Sequence, residues 1–131
     1  MYMPPWAFPI QKPMKSFDID GVIYLGHLGV GVFPGPEDIL ITGRSYQEAP
    51  KTLRWLQARG INNQVFFNPL DEKDKTRPSS GEHKARTLKG LIENGYRIDI
   101  HFEDDPIQKQ IIEEKLPYLK VVHLVHELTE K

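Results

Sequence analysis

Residues 15–21 read Lys-Ser-Phe-Asp-Ile-Asp-Gly, a short apolar run that ends in two carboxylates and a glycine. Four further runs of four to six residues are similarly rich in Val, Ile or Phe: Ile39–Thr42, Asn63–Phe67, Ile98–Phe102 and Lys120–Val125. Runs of this length that end in polar or turn residues are typical of strands. We therefore predict five strands, the first of them over Lys15–Ile19.

The segments between the runs carry apolar residues at helical spacing. Tyr46–Arg59 stops at Gly60, His83–Glu93 stops near Gly95, and Pro106–Lys115 begins with a proline, which the first helical turn tolerates. Strands that alternate with helices indicate right-handed βαβ units and a parallel sheet. The predicted fold class is α/β, a three-layer sandwich around a parallel five-stranded sheet.

Three segments break this alternation. Gly21–Asp38 has five glycines, two prolines and no helical period, which favours an irregular hairpin or flap. Leu70–Glu82 is polar, and we expect a solvated loop there. Residues 1–14 are proline-rich, and we expect either an extended arm over the domain or a disordered lead-in there. The predicted domain covers residues 15–131.

Composition limits the classes of function. The 131 residues suffice for one domain. Their 17 basic and 18 acidic side chains give a net charge of −1, so nucleic acid could bind only at a local site. The chain has no cysteine, which excludes disulfides, cysteine–zinc sites and thiol nucleophiles and fits a reducing, cytoplasmic location. No apolar run approaches the ~20 residues of a membrane helix, so we expect no membrane partner.

Polar side chains follow the predicted strands where those strands end. In an open parallel sheet, ligands bind at the carboxyl ends of the strands. Six polar side chains are predicted near that edge: Asp18, Asp20, Thr42, Lys84, Asp104 and Asp105. Carboxylates so close together repel one another, and a hard divalent ion with oxygen ligands, most simply Mg²⁺, would relieve the repulsion. A metal, a spare carboxylate, a hydroxyl and an ammonium suit phosphoryl chemistry.

These residues resemble the four motifs of the haloacid dehalogenase superfamily of phosphatases. Asp18-Ile19-Asp20-Gly21 is similar to the first motif, Asp-x-Asp-Gly, and Thr42 to the second, a Ser or Thr that ends an apolar strand. Lys84 is similar to the third, and Asp104-Asp105 to the acidic pair of the fourth. The likeness covers about residues 15–126 and implies a HAD-like Rossmannoid sheet in the order 3-2-1-4-5 with a minimal cap.

The resemblance also implies a role for each matched position in a Mg²⁺-dependent phosphomonoester hydrolase. Asp18 would attack phosphorus and form an aspartyl-phosphate, and Asp20 would act as general acid and then general base. Asp104 would lie in the second shell of the metal and pair with Lys84. The expected metal ligands are Asp18, the backbone carbonyl of Asp20, and Asp105. The expected phosphate-binding groups are Thr42, Gly43 and Lys84.

Residues 41–61 further resemble stand-alone phosphatases related to the phosphatase half of polynucleotide kinase-phosphatase. In that group a Met-Arg-Pro segment often follows the third strand, where this chain has Phe67-Asn68-Pro69. The short Gly21–Asp38 segment implies an open, nearly capless site, which suits phosphate groups on large molecules such as nucleic-acid ends or phosphoproteins. With the resemblance to the polynucleotide phosphatases, we expect the substrate to be a nucleotide or a nucleic-acid end. Two alternatives stay open: a non-catalytic phosphate- or partner-binding module on the same fold, and a small-nucleotide 5′(3′)-nucleotidase.

Several of the singled-out residues also have purely structural interpretations. Asp104-Asp105 could cap the helix that follows, and Thr42 could be a turn hydroxyl. Arg44 could contact substrate or simply bond a loop. The histidines show no metal-ligand spacing, and we expect surface or core roles for His123 and His126.

Overall fold

The computed structural model describes residues 13–126, so the predicted arm over residues 1–14 lies almost entirely outside the described residues, as do residues 127–131. Five parallel strands form one sheet: β1 Met14–Phe17, β2 Ile39–Ser45, β3 Val65–Asn68, β4 Ile98–Glu103 and β5 Lys120–His123. Their order is β3-β2-β1-β4-β5. The predicted α/β class, parallel sheet and strand order are confirmed.

Helices flank the sheet: α1 Ala49–Gln57, α2 Arg77–Glu93 and α3 Pro106–Lys115. Ile39 and Ile41 of β2 face a buried core that α2 and α3 cover, whereas Leu40 faces a second core with α1 and the Gly21–Asp38 segment. This alternation follows from the two-residue repeat of a strand. Among residues 13–126, no helix is both long and apolar enough to cross a membrane.

Most elements differ by one to three residues from their predicted bounds, and the differences in β2 and α2 bear on the site. β2 continues past Thr42 to Ser45, because Ser45 still pairs with Asn68 of β3. α2 begins at Arg77, so the second half of the predicted loop is helical and Lys84 lies two turns inside the helix instead of opening it. The Thr76 side chain caps this helix by accepting a bond from the backbone N–H of Ser79.

The Gly21–Asp38 segment is irregular, as predicted, and contributes no strand to the sheet. Its base is part of the core, since Val22 and Ile23 are fully buried. Tyr24 makes isolated bridges to Asp20 and Val30, and a single 3₁₀ turn covers Gly26–Leu28. The segment therefore lies directly against the carboxyl end of β1.

Candidate functional site

A buried ion cluster joins the carboxyl ends of β1 and β4. Phe17 and Phe102 are register partners, which brings Asp18 and Glu103 side by side just beyond them. The Lys84 ammonium from α2 lies 3.1 Å from Asp18 Oδ1 and 2.9 Å from Glu103 Oε1. The side chains of Lys84 and Glu103 are 1% and 0% exposed, so water cannot screen this cluster.

Asp104 adds a third carboxylate to the cluster. Asp18, Glu103 and Asp104 each offer an oxygen, and the three oxygens all lie within 4.8 Å of one another. Burial raises the pKa of Asp18 well above its usual range, and the charge of Glu103 is the second cause of this increase. Burial, together with the charges of Asp18 and Glu103, raises the pKa of Asp104 to about 7. One ammonium does not balance three carboxylates, and their hard oxygens fit a divalent cation such as Mg²⁺.

The carboxylate at the end of β4 that pairs with Lys84 is Glu103, one residue before the predicted partner, Asp104. Lys84 pairs with Glu103 and Asp18 and not with Asp104. Asp105 is engaged elsewhere, because its carboxylate accepts bonds of 2.8 and 3.0 Å from Nε and a terminal nitrogen of Arg77. It also caps α3, which was the structural alternative for this position. Burial alone would raise the pKa of Asp105, but the bonds from Arg77 and from the α3 backbone lower it.

Glycine and two histidines hold the loop around Asp104. Gly21 has φ +82°, and a Cβ atom there would lie 1.8 Å from Asp104 Oδ2, so the Asp-Gly turn requires glycine. His123 Nε2 lies 2.9 Å from the Asp104 carbonyl. His126 Nε2 lies 2.7 Å from the Gly21 carbonyl and 3.6 Å from Asp104 Oδ2. Both histidines thus support the site, a role that their spacing in sequence does not indicate.

Arg44 binds Asp20 with two parallel hydrogen bonds. Nε lies 2.8 Å from Asp20 Oδ2, and a terminal nitrogen lies 2.6 Å from Oδ1. The same guanidinium donates to Thr52 Oγ1 at 3.1 Å. The bond to Asp20 raises the pKa of Arg44 still further. Arg44 thus bonds the loop at Asp20 and also lines a pocket, so both of the roles left open for it stay predictions.

Of the three residues expected to bind phosphate, two line a pocket and one is fully buried. Gly43 and Lys84 line the pocket over the cluster, with Gly43 packed so closely on Ser80 that a Cβ would lie 3.0 Å from its hydroxyl oxygen. Thr42 is fully buried, and its hydroxyl accepts the backbone N–H of Arg44 at 3.0 Å, as a turn hydroxyl does. The backbone N–H of Ile19 is also occupied, since it donates to Asp18 Oδ1 at 2.8 Å.

Two adjoining pockets share Asp20, Tyr24 and Gly43. The acidic pocket, of about 310 Å³, lies over the ion cluster; its charged lining residues are Asp18, Asp20, Lys84, Asp104 and Asp105. The second, the basic-aromatic pocket, has about 410 Å³; its further charged and aromatic residues include Arg44, Glu48, Lys51, Trp55 and Lys75. The sign of the charge therefore changes from one pocket to the next.

Comparisons of the chain with protein-family models, with curated proteins and with solved structures find no match.

Proposed function

We propose that this protein is a Mg²⁺-dependent phosphatase that hydrolyses a phosphomonoester through an aspartyl-phosphate intermediate. The observation that carries the proposal is the cluster of three carboxylates at the ends of β1 and β4, two of which contact the buried ammonium of Lys84. Asp18 and Asp104 would hold the cation, with the backbone carbonyl of Asp20 as a further predicted ligand. When bound, Mg²⁺ would polarise the phosphoryl oxygens and offset the negative charge of the site.

The chemistry would use the two carboxylates of the Asp-x-Asp-Gly segment. Asp18 Oδ1 accepts bonds from Lys84 and Ile19, so Oδ2 is the better-placed oxygen to attack phosphorus. As the bond from Oδ2 to phosphorus forms, the bond from phosphorus to the leaving oxygen breaks, and Asp20 donates a proton to that oxygen. Asp20 would then take a proton from a water molecule that attacks the aspartyl-phosphate, releasing phosphate and restoring Asp18.

Arg44 would control when Asp20 can act. Both oxygens of Asp20 are held by the guanidinium, and the Asp20 side chain is 53% exposed at the mouth of the pockets. Proton transfer to a leaving oxygen requires one of these bonds to open. An anionic substrate that draws the Arg44 guanidinium away would free Asp20 at the moment of binding.

The basic-aromatic pocket favours a nucleotide or a nucleic-acid end as the substrate. Its three cations, Arg44, Lys51 and Lys75, face two carboxylates. Tyr24 and Trp55 form a wall with their ring centroids 5.0 Å apart. Cations beside aromatic rings suit a leaving group that carries a base and a further phosphate.

The activity is tested by phosphate release from p-nitrophenyl phosphate with Mg²⁺ and with EDTA. We expect turnover with Mg²⁺ only, and a loss of several orders of magnitude in Asp18→Asn, because this variant lacks the nucleophile. Calorimetric titration should show that Asp104→Asn weakens Mg²⁺ binding more than Asp105→Asn does. The proposal fails if the wild-type protein releases no phosphate from this substrate or from 3′- and 5′-phosphorylated oligonucleotides.

The substrate class needs a separate comparison. Lys51→Glu reverses a charge in the basic-aromatic pocket, whereas Arg54→Glu reverses an exposed charge on the same helix outside it. We expect Lys51→Glu to lower kcat/KM for phosphorylated oligonucleotides and to leave that for p-nitrophenyl phosphate unchanged, with little effect of Arg54→Glu on either. Faster turnover of mononucleotides than of oligonucleotides would favour the small-nucleotide alternative.

One observation favours the non-catalytic alternative. Both carboxylate oxygens of Asp20, the proposed general acid, are bonded to Arg44 in this structure. A binding module would retain phosphate or a phosphorylated oligonucleotide without releasing product. Calorimetric binding of such a ligand by a protein that turns over none of the substrates would establish that function instead.

A further inference from the structure

A continuous line of buried polar contacts extends from the ion cluster into the sheet. Lys84 Nζ lies 2.9 Å from Glu103 Oε1, and the same Glu103 oxygen lies 3.1 Å from His101 Nε2. On the other side of the imidazole, Nδ1 lies 2.7 Å from the hydroxyl oxygen of Ser16. Ser16, His101 and Glu103 are all 0% exposed. No water can substitute for a missing partner along this line without a rearrangement of the core.

The line exists because two neighbouring strands carry polar residues in matching positions. Ser16 and His101 are register partners on β1 and β4. Asp18 and Glu103 each follow two residues later, so they point to the same side of the sheet as Ser16 and His101. The Lys84 ammonium bridges the carboxylates of Glu103 and Asp18, and lies 3.1 Å from Asp18 Oδ1. The five side chains thus enclose one patch of the sheet.

The proton on His101 is assigned by these contacts. Burial lowers the pKa of His101 to about 3, and the charge of Lys84 is the second cause of this decrease. The ring is therefore neutral at ordinary pH. The Glu103 carboxylate, which is paired with Lys84, acts only as a hydrogen-bond acceptor. His101 Nε2 therefore carries the hydrogen of this bond and donates it. Nδ1 is then the acceptor for the Ser16 hydroxyl. Ser16 therefore fixes both the tautomer and the orientation of the ring.

We infer that His101 is a positioning residue that, through Glu103, holds the Lys84 ammonium against Asp18. This inference rests on the proposed phosphatase activity. His101 Nε2 lies 3.1 Å from Glu103 Oε1, the oxygen that pairs with Lys84, whereas Glu103 Oε2 accepts a longer bond of 3.4 Å from the backbone N–H of Asp105. Loss of His101 would therefore remove the shorter of these two bonds, the one at the oxygen that holds Lys84. A displacement of about 1 Å at a catalytic group can cost up to 10²-fold in rate. His101 lines neither the acidic nor the basic-aromatic pocket, so it would affect kcat while leaving substrate binding nearly intact.

The test compares His101→Leu with His101→Gln, whose side-chain amide can donate to Glu103 in place of Nε2. With p-nitrophenyl phosphate and saturating Mg²⁺, below the unfolding temperature of every variant, we expect His101→Leu to lower kcat about tenfold or more with KM nearly unchanged. His101→Gln should recover most of the rate. His83→Leu is the control, because His83 is a similarly buried imidazole beside Lys84 with no hydrogen bond to Glu103.

A second measurement does not depend on turnover. In NMR spectra, the ring nitrogens of His101 should report the Nε2–H tautomer, and the Lys84 ammonium should give a protected signal. We expect that signal to be lost in His101→Leu and kept in His101→Gln; Ser16→Ala, the milder variant if His101→Leu does not fold, should weaken the tautomer preference. An unchanged kcat and an unchanged Lys84 signal in His101→Leu would overturn the inference. If the wild-type protein shows no turnover, the proposed function fails, and the Lys84 signal alone decides the role of His101.

Discussion

Replacement of Lys84 by methionine tests the central cluster most directly. Lys84 is 1% exposed, and its ammonium is the positive charge that contacts Asp18 and Glu103. Methionine keeps most of the volume and removes the charge, so buried carboxylates would be left unpaired. Removing one partner of a buried ion pair costs about 3–5 kcal/mol, which we expect to see in the free energy of unfolding from urea titrations followed by tryptophan fluorescence.

Lys109→Met is the matched control for this measurement. Lys109 pairs with Glu113 at 2.8 Å, one turn apart on α3, but the two side chains are 27% and 44% exposed. Such a helical surface pair contributes about 0.3–0.5 kcal/mol. The loss in Lys84→Met should also shrink as the pH falls, because protonation of the carboxylates removes their repulsion. If the two lysine variants lose similar free energies at neutral pH, the buried cluster is not held as described.

Three further outcomes follow from the same geometry. The pKa of Asp104 is about 7 in the folded protein against an ordinary 3.8, so the metal-free protein should lose stability as the pH rises through this window. Unfolding titrations should show that Asp104→Asn, or added Mg²⁺, flattens this slope. Gly21→Ala should lower the melting temperature much more than Gly29→Ala, because both have positive φ but only the Gly21 methyl would strike Asp104. Asp105→Ala should cost about 1 kcal/mol in urea titrations through loss of the α3 cap.

Most of the fold could be predicted from the sequence because the strands are short apolar runs with clear polar ends. The start of α2 could not, since its first two turns contain few apolar residues. Ser80 and Gly81 are nevertheless buried there. A Cβ at Gly81 would lie 3.1 Å from the Cα of Gln108 on α3, so close helix packing, and not an apolar stripe, holds this turn. Hydrophobic periodicity cannot detect such a contact.

The site likewise contains contacts that the sequence pattern alone does not predict. The run Glu103-Asp104-Asp105 contains two overlapping acidic pairs, and the sequence alone favours the pair of aspartates. Glu103 is the last residue of β4 and follows His101 by two positions, so its carboxylate lies on the same face of the sheet as His101 and contacts Lys84. The pattern of acidic residues alone does not single out this contact. The role of His101 depends on its register partner in β1, which no local pattern reveals.

The arrangement of charge also constrains how the proposed reaction could begin. Four carboxylates line the acidic pocket, and a phosphomonoester that approached it without a cation would be repelled by them. Two of the four are already neutralised by arginines, Asp20 by Arg44 and Asp105 by Arg77. The excess negative charge is thus confined to the cluster around Lys84, where a divalent ion would neutralise it. Phosphate and metal would therefore bind with positive coupling, and thermodynamic linkage requires each to strengthen the other by the same factor.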